Sequence, residues 1–187
     1  QVSLSSNVLV RGNLNLIQGI IRSTSSSLLT IEDGATTSGG NAISFVSGPM
    51  RKLGIQNFAF PIGKGDRWAR LGITDMTGSA AFIAEYFNSA PSNRSSLGAG
   101  LARITTIEYW DLSRSGGSGT ATPHVTLYWE DTTDSRINDL STLVVAHYRS
   151  GAWQSHGGIA SWGAAPQHAG TVKTTIVFDS FSDIAFG

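Results

Sequence analysis

Cysteine is absent from the 187 residues, so no disulfide framework, thiolate metal cluster or cysteine nucleophile is open to this chain. Charge is scarce as well. Only 14% of residues are charged, acidic and basic side chains balance at 13 each, and the formal net charge is zero. Such a balance offers no basic surface to a nucleic acid or to an anionic membrane. No run of about 18 apolar residues occurs, which leaves no candidate for a transmembrane helix. Short catalytic motifs are missing too. His124, His147, His156 and His168 show no metal-ligand spacing, and no serine sits in a nucleophile elbow. Gly63-Lys64-Gly65-Asp66 lacks the spacing of a phosphate loop and reads as a hairpin turn between strand-like residues. Glu85, Glu108 and Glu130 could supply paired carboxylates, but their placement opposite aromatics reads as the solvent face of a sheet. The chain is expected not to be an enzyme and to need no cofactor.

What remains is β-forming. Hydrophobic residues make up 40% of the chain, enough for one medium domain with a real core. In the first forty residues, aliphatic pairs recur with period two between Ser, Thr, Gly and Asn: Val8 and Val10, Leu14 and Leu16, Leu29 and Ile31. This predicts a ladder of short strands joined by tight turns, too small to bury its own apolar face and therefore packed on, or extending, the rest of the chain. Ser38 to Ala42, with two consecutive glycines, reads as a turn or hinge and divides a ladder at 1–40 from a domain at 41–187. Beyond it, strand-like runs such as HVTLYW and LVVAHY alternate between turn-rich segments, the pattern of an all-β antiparallel β-sandwich, immunoglobulin-like or jelly-roll-like. Segments 88–100 and 113–123 read as flexible loops by composition. Helix is expected to reach a turn or two at most.

Three groups of residues are candidates for binding. Trp153 and Trp162 lie in a Gly-rich run with Gln154, His156 and Gln167, where indole platforms and hydrogen-bonding groups could hold a sugar; the competing reading pins the aromatics to the sandwich edge. Asp131, Asp134 and Asp139 fall in one acidic loop, a candidate calcium site without EF-hand spacing, against the alternative of a solvated turn. Val8, Val10, Leu14 and Leu16 are candidates for self-assembly, since an exposed strand edge can pair with a neighbouring copy and aliphatic pairs can set the register.

SFVSGPMRK, FAFPIGKGDRWARLGIT, FIAEYFNSAP, IEYWDLS, VTLYWED, DLSTLVVAHYRSGAWQSHGG and GTVKTTIVFDSFSDIAFG together resemble a module of the large secreted surface proteins of Bacteroidetes-type bacteria. The resemblance runs almost end to end. His147, Gly151, Trp153, Phe181, Ser182, Phe186 and Gly187 stand at the family's characteristic places. It implies a secreted, cell-surface β module of a structural or adhesive protein, with no catalytic residues to carry over and with a sorting tail for type IX secretion absent after Gly187. A chain that starts at Gln1 without methionine fits an exported and trimmed polypeptide, and fits an excised fragment equally. Two functions are therefore expected. The first is a non-enzymatic surface protein, adhesive or assembling into a fibre, whose partners are its own copies or other surface proteins. The second is a carbohydrate-binding module that holds polysaccharide through exposed tryptophans.

Overall fold

A computed structural model describes residues 1–117, 119–163 and 169–187. The N-terminal part winds into a parallel β-solenoid. One face stacks β1 (Val2–Ser3), β4 (Ile21–Arg22), β7 (Val46–Ser47) and β10 (Ile62–Lys64) in parallel. A second stacks β2 (Val8–Val10), β5 (Leu29–Ile31) and β8 (Met50–Gly54), and a third pairs β3 (Asn13–Leu16) with β6 (Thr36–Gly39). Each coil takes roughly 20 residues, the scale of a short solenoid repeat. Like residues fall in columns: Val2, Ile21, Val46 and Ile62 on the first face, Val8, Leu29 and Met50 on the second. Polar residues form a column of their own on the third. There Asn13 Nδ2 donates to Ser38 Oγ at 2.8 Å, and Thr36 Oγ1 donates to Asn13 Oδ1 at 2.9 Å.

The solenoid runs without a break into an antiparallel sandwich. After β9 (Phe58–Phe60), the hairpin of β10 and β11 (Arg67–Trp68) turns through Gly65 at positive φ, as the Gly-Lys-Gly-Asp segment predicts. Then come β12 (Leu71–Thr74), β13 (Ala80–Phe87), β14 (Tyr109–Gly117), β15 (His124–Trp129), a single helical turn α1 (Thr132–Ser135), β16 (Val145–Arg149), β17 (Ala152–Ser155), β18 (Ile159–Trp162), β19 (Gly170–Lys173) and β20 (Asp183–Phe186). One sheet has the order β18-β19-β15-β12-β9. The other has eight strands, β17-β16-β20-β14-β13-β8-β5-β2, so a face of the solenoid and a layer of the sandwich are the same sheet. The fold is all-β and sandwich-like, and its main core runs through both parts. Leu29, Ile31, Val46 and Met50 of the solenoid join Phe60, Leu71, Phe82, Trp110 and Trp129 of the sandwich in a single buried cluster. Phe186 bridges the layers, its ring 5.2 Å from Trp110 and 5.9 Å from Trp129.

Several features differ from the sequence reading. Parallel pairing continues past residue 40 to Met50 and Ile62, so the expected boundary between 1–40 and 41–187 falls inside the solenoid. Nor is the double glycine free to hinge. Gly40 has φ 95° and lies against the Trp68 indole, where an added Cβ would sit 2.9 Å from the ring. The Ser113–Gly117 part of the expected loop is strand, paired with β13 past an irregularity at Ala81/Phe82. Glu108 is no solvent-face residue. It is 2% exposed and accepts a hydrogen bond from the Tyr86 hydroxyl at 2.8 Å, and burial raises its carboxyl above the ordinary range.

Candidate interaction surface

The first coil of the solenoid carries β1, β2 and β3. β1 and β2 are edge strands of their sheets, β3 is paired only with β6, and among the described residues no strand lies against their outer edges. Exposure along the columns shows the same thing. It falls from 60% at Val2 to zero at Val46 and Ile62, and from 37% at Val8 to 2% at Leu29 and zero at Met50. Equivalent positions are thus exposed in the first coil, half-buried at Ile21 of the second, and buried at Leu29, Val46, Met50 and Ile62.

Hydrogen-bond direction decides what the edge presents. Val8 N donates to Leu28 O, and Val10 O accepts from Glu32 N, so the backbone groups of both residues face β5. Alternation along a strand then turns the Leu9 N–H and C=O to the open side. On β1, Val2 and Leu4 donate to Ile20 and Arg22, which leaves Ser3 facing outward. The Leu9 side chain is 44% exposed. Of the four residues expected to mediate self-assembly, Val8 is exposed, Val10 and Leu14 are half-buried against the core, and Leu16 is buried. Leu16 therefore contributes to the solenoid's own interior and not to a surface. Leu9 was missed, although the Val-Leu-Val alternation puts it on the face opposite Val8 and Val10. Charge is sparse here: Arg11 is the sole charged residue among positions 1–21 and pairs with Glu32 of the next coil at 3.5 Å.

The expected sugar platform is sealed. Trp153 is fully buried on the outer face of the large sheet, in a second small core with Ile104, Ala146 and Ala185. The 88–103 segment, which takes in the 88–100 stretch expected to be a flexible loop, covers it. Trp153 Nε1 donates to Ser92 O at 3.1 Å, Leu97 bridges to Trp153, and Asn93 Nδ2 donates to Tyr148 Oη at 2.9 Å. The same segment closes the β17 edge, where Trp153 N donates to Ser96 O and Gly98 N to Trp153 O. His156 is also buried, 5.1 Å from the His147 ring and 4.3 Å from Phe178. Burial holds the His147 imidazole down at about 4 and lowers His156 in the same direction. Trp153 and His156 consequently cannot meet a ligand from solvent. Gln154 is half-buried, and Gln167 and His168 lie outside the described residues. Trp162 remains half-exposed on edge strand β18, its ring edge-on to Trp129.

The acidic loop is occupied by its own backbone. Asp131 caps α1, accepting from Thr133 N at 2.7 Å, and Asp139 accepts from Ser141 N at 2.8 Å. Asp134 lies 4.0 Å from Arg67, whose Nη1 also donates to the Asp134 carbonyl. Among the described residues no group of three acidic or histidine side chains is placed to hold a metal ion. A different acidic row was not anticipated. Glu85, Asp111 and Asp183 are direct cross-strand neighbours on β13, β14 and β20, and burial raises all three carboxyls, with Asp183 repelling Asp111 and Asp111 repelling Glu85.

No protein-family model matches the chain, and no curated protein or solved structure matches it. Among the described residues, no helix is long and apolar enough to cross a membrane.

Proposed function

We propose that this is a non-enzymatic structural or adhesive protein of the cell surface or extracellular space, working through contacts between its own copies. One observation carries the reading: among the described residues the outer edges of β1, β2 and β3 are unpaired, and Val2 and Val8 are exposed where Val46, Ile62, Leu29 and Met50 of later coils are buried. Such an edge is a template for strand addition, in which main-chain hydrogen bonds give affinity and side-chain columns give register. Low charge around it removes the repulsion that ordinarily protects an edge. The resemblance to surface modules of secreted bacterial proteins supports the location, and the candidate calcium loop is tested together with it.

Light scattering of the whole chain from micromolar to near-millimolar concentration, with calcium or with chelator, is the direct test. Mass is expected to rise with concentration above 19.7 kDa. A monomer under every condition overturns the reading. Retention on a polysaccharide that is lost in Trp162→Ala, from a protein that stays monomeric, transfers the function to carbohydrate binding through the half-exposed indole.

A further inference from the structure

We infer that residues 175–180, in the connection between β19 and β20, form an acid-released latch: protons taken up by His147 and His156 lift it from the sandwich while both sheets stay folded. The latch works within one copy and needs no partner.

Its closed position centres on Phe178. This ring is fully buried against His147, 4.6 Å away, and His156, 4.3 Å away, and the two imidazoles stand 5.1 Å apart. Thr175 N and Ile176 N donate to His156 O at 3.1 and 3.2 Å, and Phe178 N donates to Pro123 O at 2.8 Å. Firmer attachments mark the hinges. At Thr174, N donates to Val125 O, Oγ1 accepts from Val125 N, and the carbonyl accepts from His124 Nδ1 at 2.9 Å, a bond that protonation of His124 keeps. At the other end, Phe181 packs edge-on against Phe82 at 5.0 Å and Ser182 Oγ donates to Tyr148 O. The histidines are held by ladders: His147 lies in β16, paired with β17 and β20, and His156 N donates to Val145 O. Between its hinges the latch belongs to no strand, so it is the part that moves.

Charge supplies the trigger. His147 and His156 are 0% and 4% exposed, and among the described residues neither ring nitrogen of His147 nor Nδ1 of His156 has a hydrogen-bond partner. The charged groups around them are Arg149 and Asp179, which bind each other at 2.8 Å, with the Lys173–Asp75 pair beyond the Thr174 hinge. Asp179 is thus engaged, and Arg149 opposes further positive charge. Two imidazolium ions this close, without acceptors, are excluded from the closed form. Lifting Phe178 opens both rings to water, where each takes a proton near pH 6.5. Two protons per opening raise the open fraction by up to about a hundredfold per pH unit from there down to about 4, and leave it constant above. Release also sets Phe178 beside Ile176 and Val177, which are 53% and 37% exposed, as an apolar tripeptide displayed in acid.

Hydrogen exchange of the whole chain, followed by NMR from pH 7 to 4 and corrected for the intrinsic chemical rate, tests the latch. The amides of Thr175, Ile176 and Phe178 should lose protection with the two-proton slope while amides of the β12–β15 ladder stay better protected at every pH. His147→Phe or His156→Phe leaves one proton per opening and should reduce the slope to about tenfold per pH unit. The ring protons of the unmodified chain give the same answer should these variants fail to fold: both imidazoles should titrate together, at the pH where the Phe178 amide becomes exposed. Latch amides that exchange only at the rate of the ladder, or with no dependence on pH, overturn the proposal. So do imidazoles that titrate while the Phe178 amide remains protected.

Discussion

Lys52 carries its ammonium into the solenoid, where Nζ donates to the carbonyls of Glu32 at 2.7 Å and Ala35 at 2.9 Å. It is 2% exposed and lies over the Phe58 ring, and burial lowers its pKa. Lys52→Met removes the donor to the buried Ala35 carbonyl and leaves Glu32 O with Ala35 N alone, and is expected to cost about 1–3 kcal/mol, read as a lower urea midpoint at unchanged m. Sequence gave no sign of this, because a lysine between Arg51 and Leu53 looks solvated until the coil is wound. His147 behaves differently. Both of its ring nitrogens lack partners, so the folded state holds it neutral while the unfolded chain protonates near 6.5. Its contribution is complete above pH 6.5 and falls by about 1.4 kcal/mol per unit as pH drops toward 4, a total of about 3 kcal/mol. His156 acts in the same sense. Urea unfolding from pH 7 to 4 should show this slope, and His147→Phe should flatten it. Trp153→Ala is expected to cost about 3–5 kcal/mol, as a buried indole leaves a cavity. An unchanged melting temperature in that variant would mean that the 88–103 segment does not seal the ring. The rival readings of Trp153 could not be separated from sequence, since what covers the ring is about sixty residues away along the chain.

At the scale of elements, alternation was a sound guide to strands and a poor one to their partners. HVTLYW and VAHYR are strands as their pattern predicts, and the Gly65 turn closes the expected hairpin. Parallel stacking of two-residue strands such as Val46–Ser47 left no periodic trace, which is why the solenoid extends beyond the glycine pair that looked like its end. Cross-strand register also creates the row Glu85, Asp111 and Asp183. Their raised pKa values make each carboxyl favour folding when protonated, and that advantage is lost as pH climbs through the folded-state value. Asp111→Asn removes the central charge and should stabilise the protein by up to about 1 kcal/mol at neutral pH. The gain should vanish below the ordinary aspartate range, and a constant gain at all pH values would assign the effect to packing.

For the whole molecule, composition and turn chemistry disclosed an all-β protein with a ladder at its start, while the winding of that ladder into a solenoid that shares a sheet with the sandwich required its long-range pairing. Aliphatic pairs drew attention to Val8, Val10, Leu14 and Leu16, and all but Val8 serve the interior. The main chain at Ser3 and Leu9 faces away from the neighbouring coil, a direction that follows from hydrogen-bond parity and not from hydropathy. At the other end of the large sheet, the 88–103 segment blocks β17, so the two ends of one sheet are finished in opposite ways.

The placement of β20 has a mechanical consequence. This last strand lies between β14 and β16, so tension on Gly187 must slide it out of two ladders at once. Tension on Gln1 instead peels β1 from β4 one bond at a time, and β2 from β5 after it. A molecule stretched between its termini should therefore lengthen first by unwinding coils at low force, with the sandwich as its stiff anchor. Force spectroscopy would record a gentle initial extension followed by one abrupt rupture.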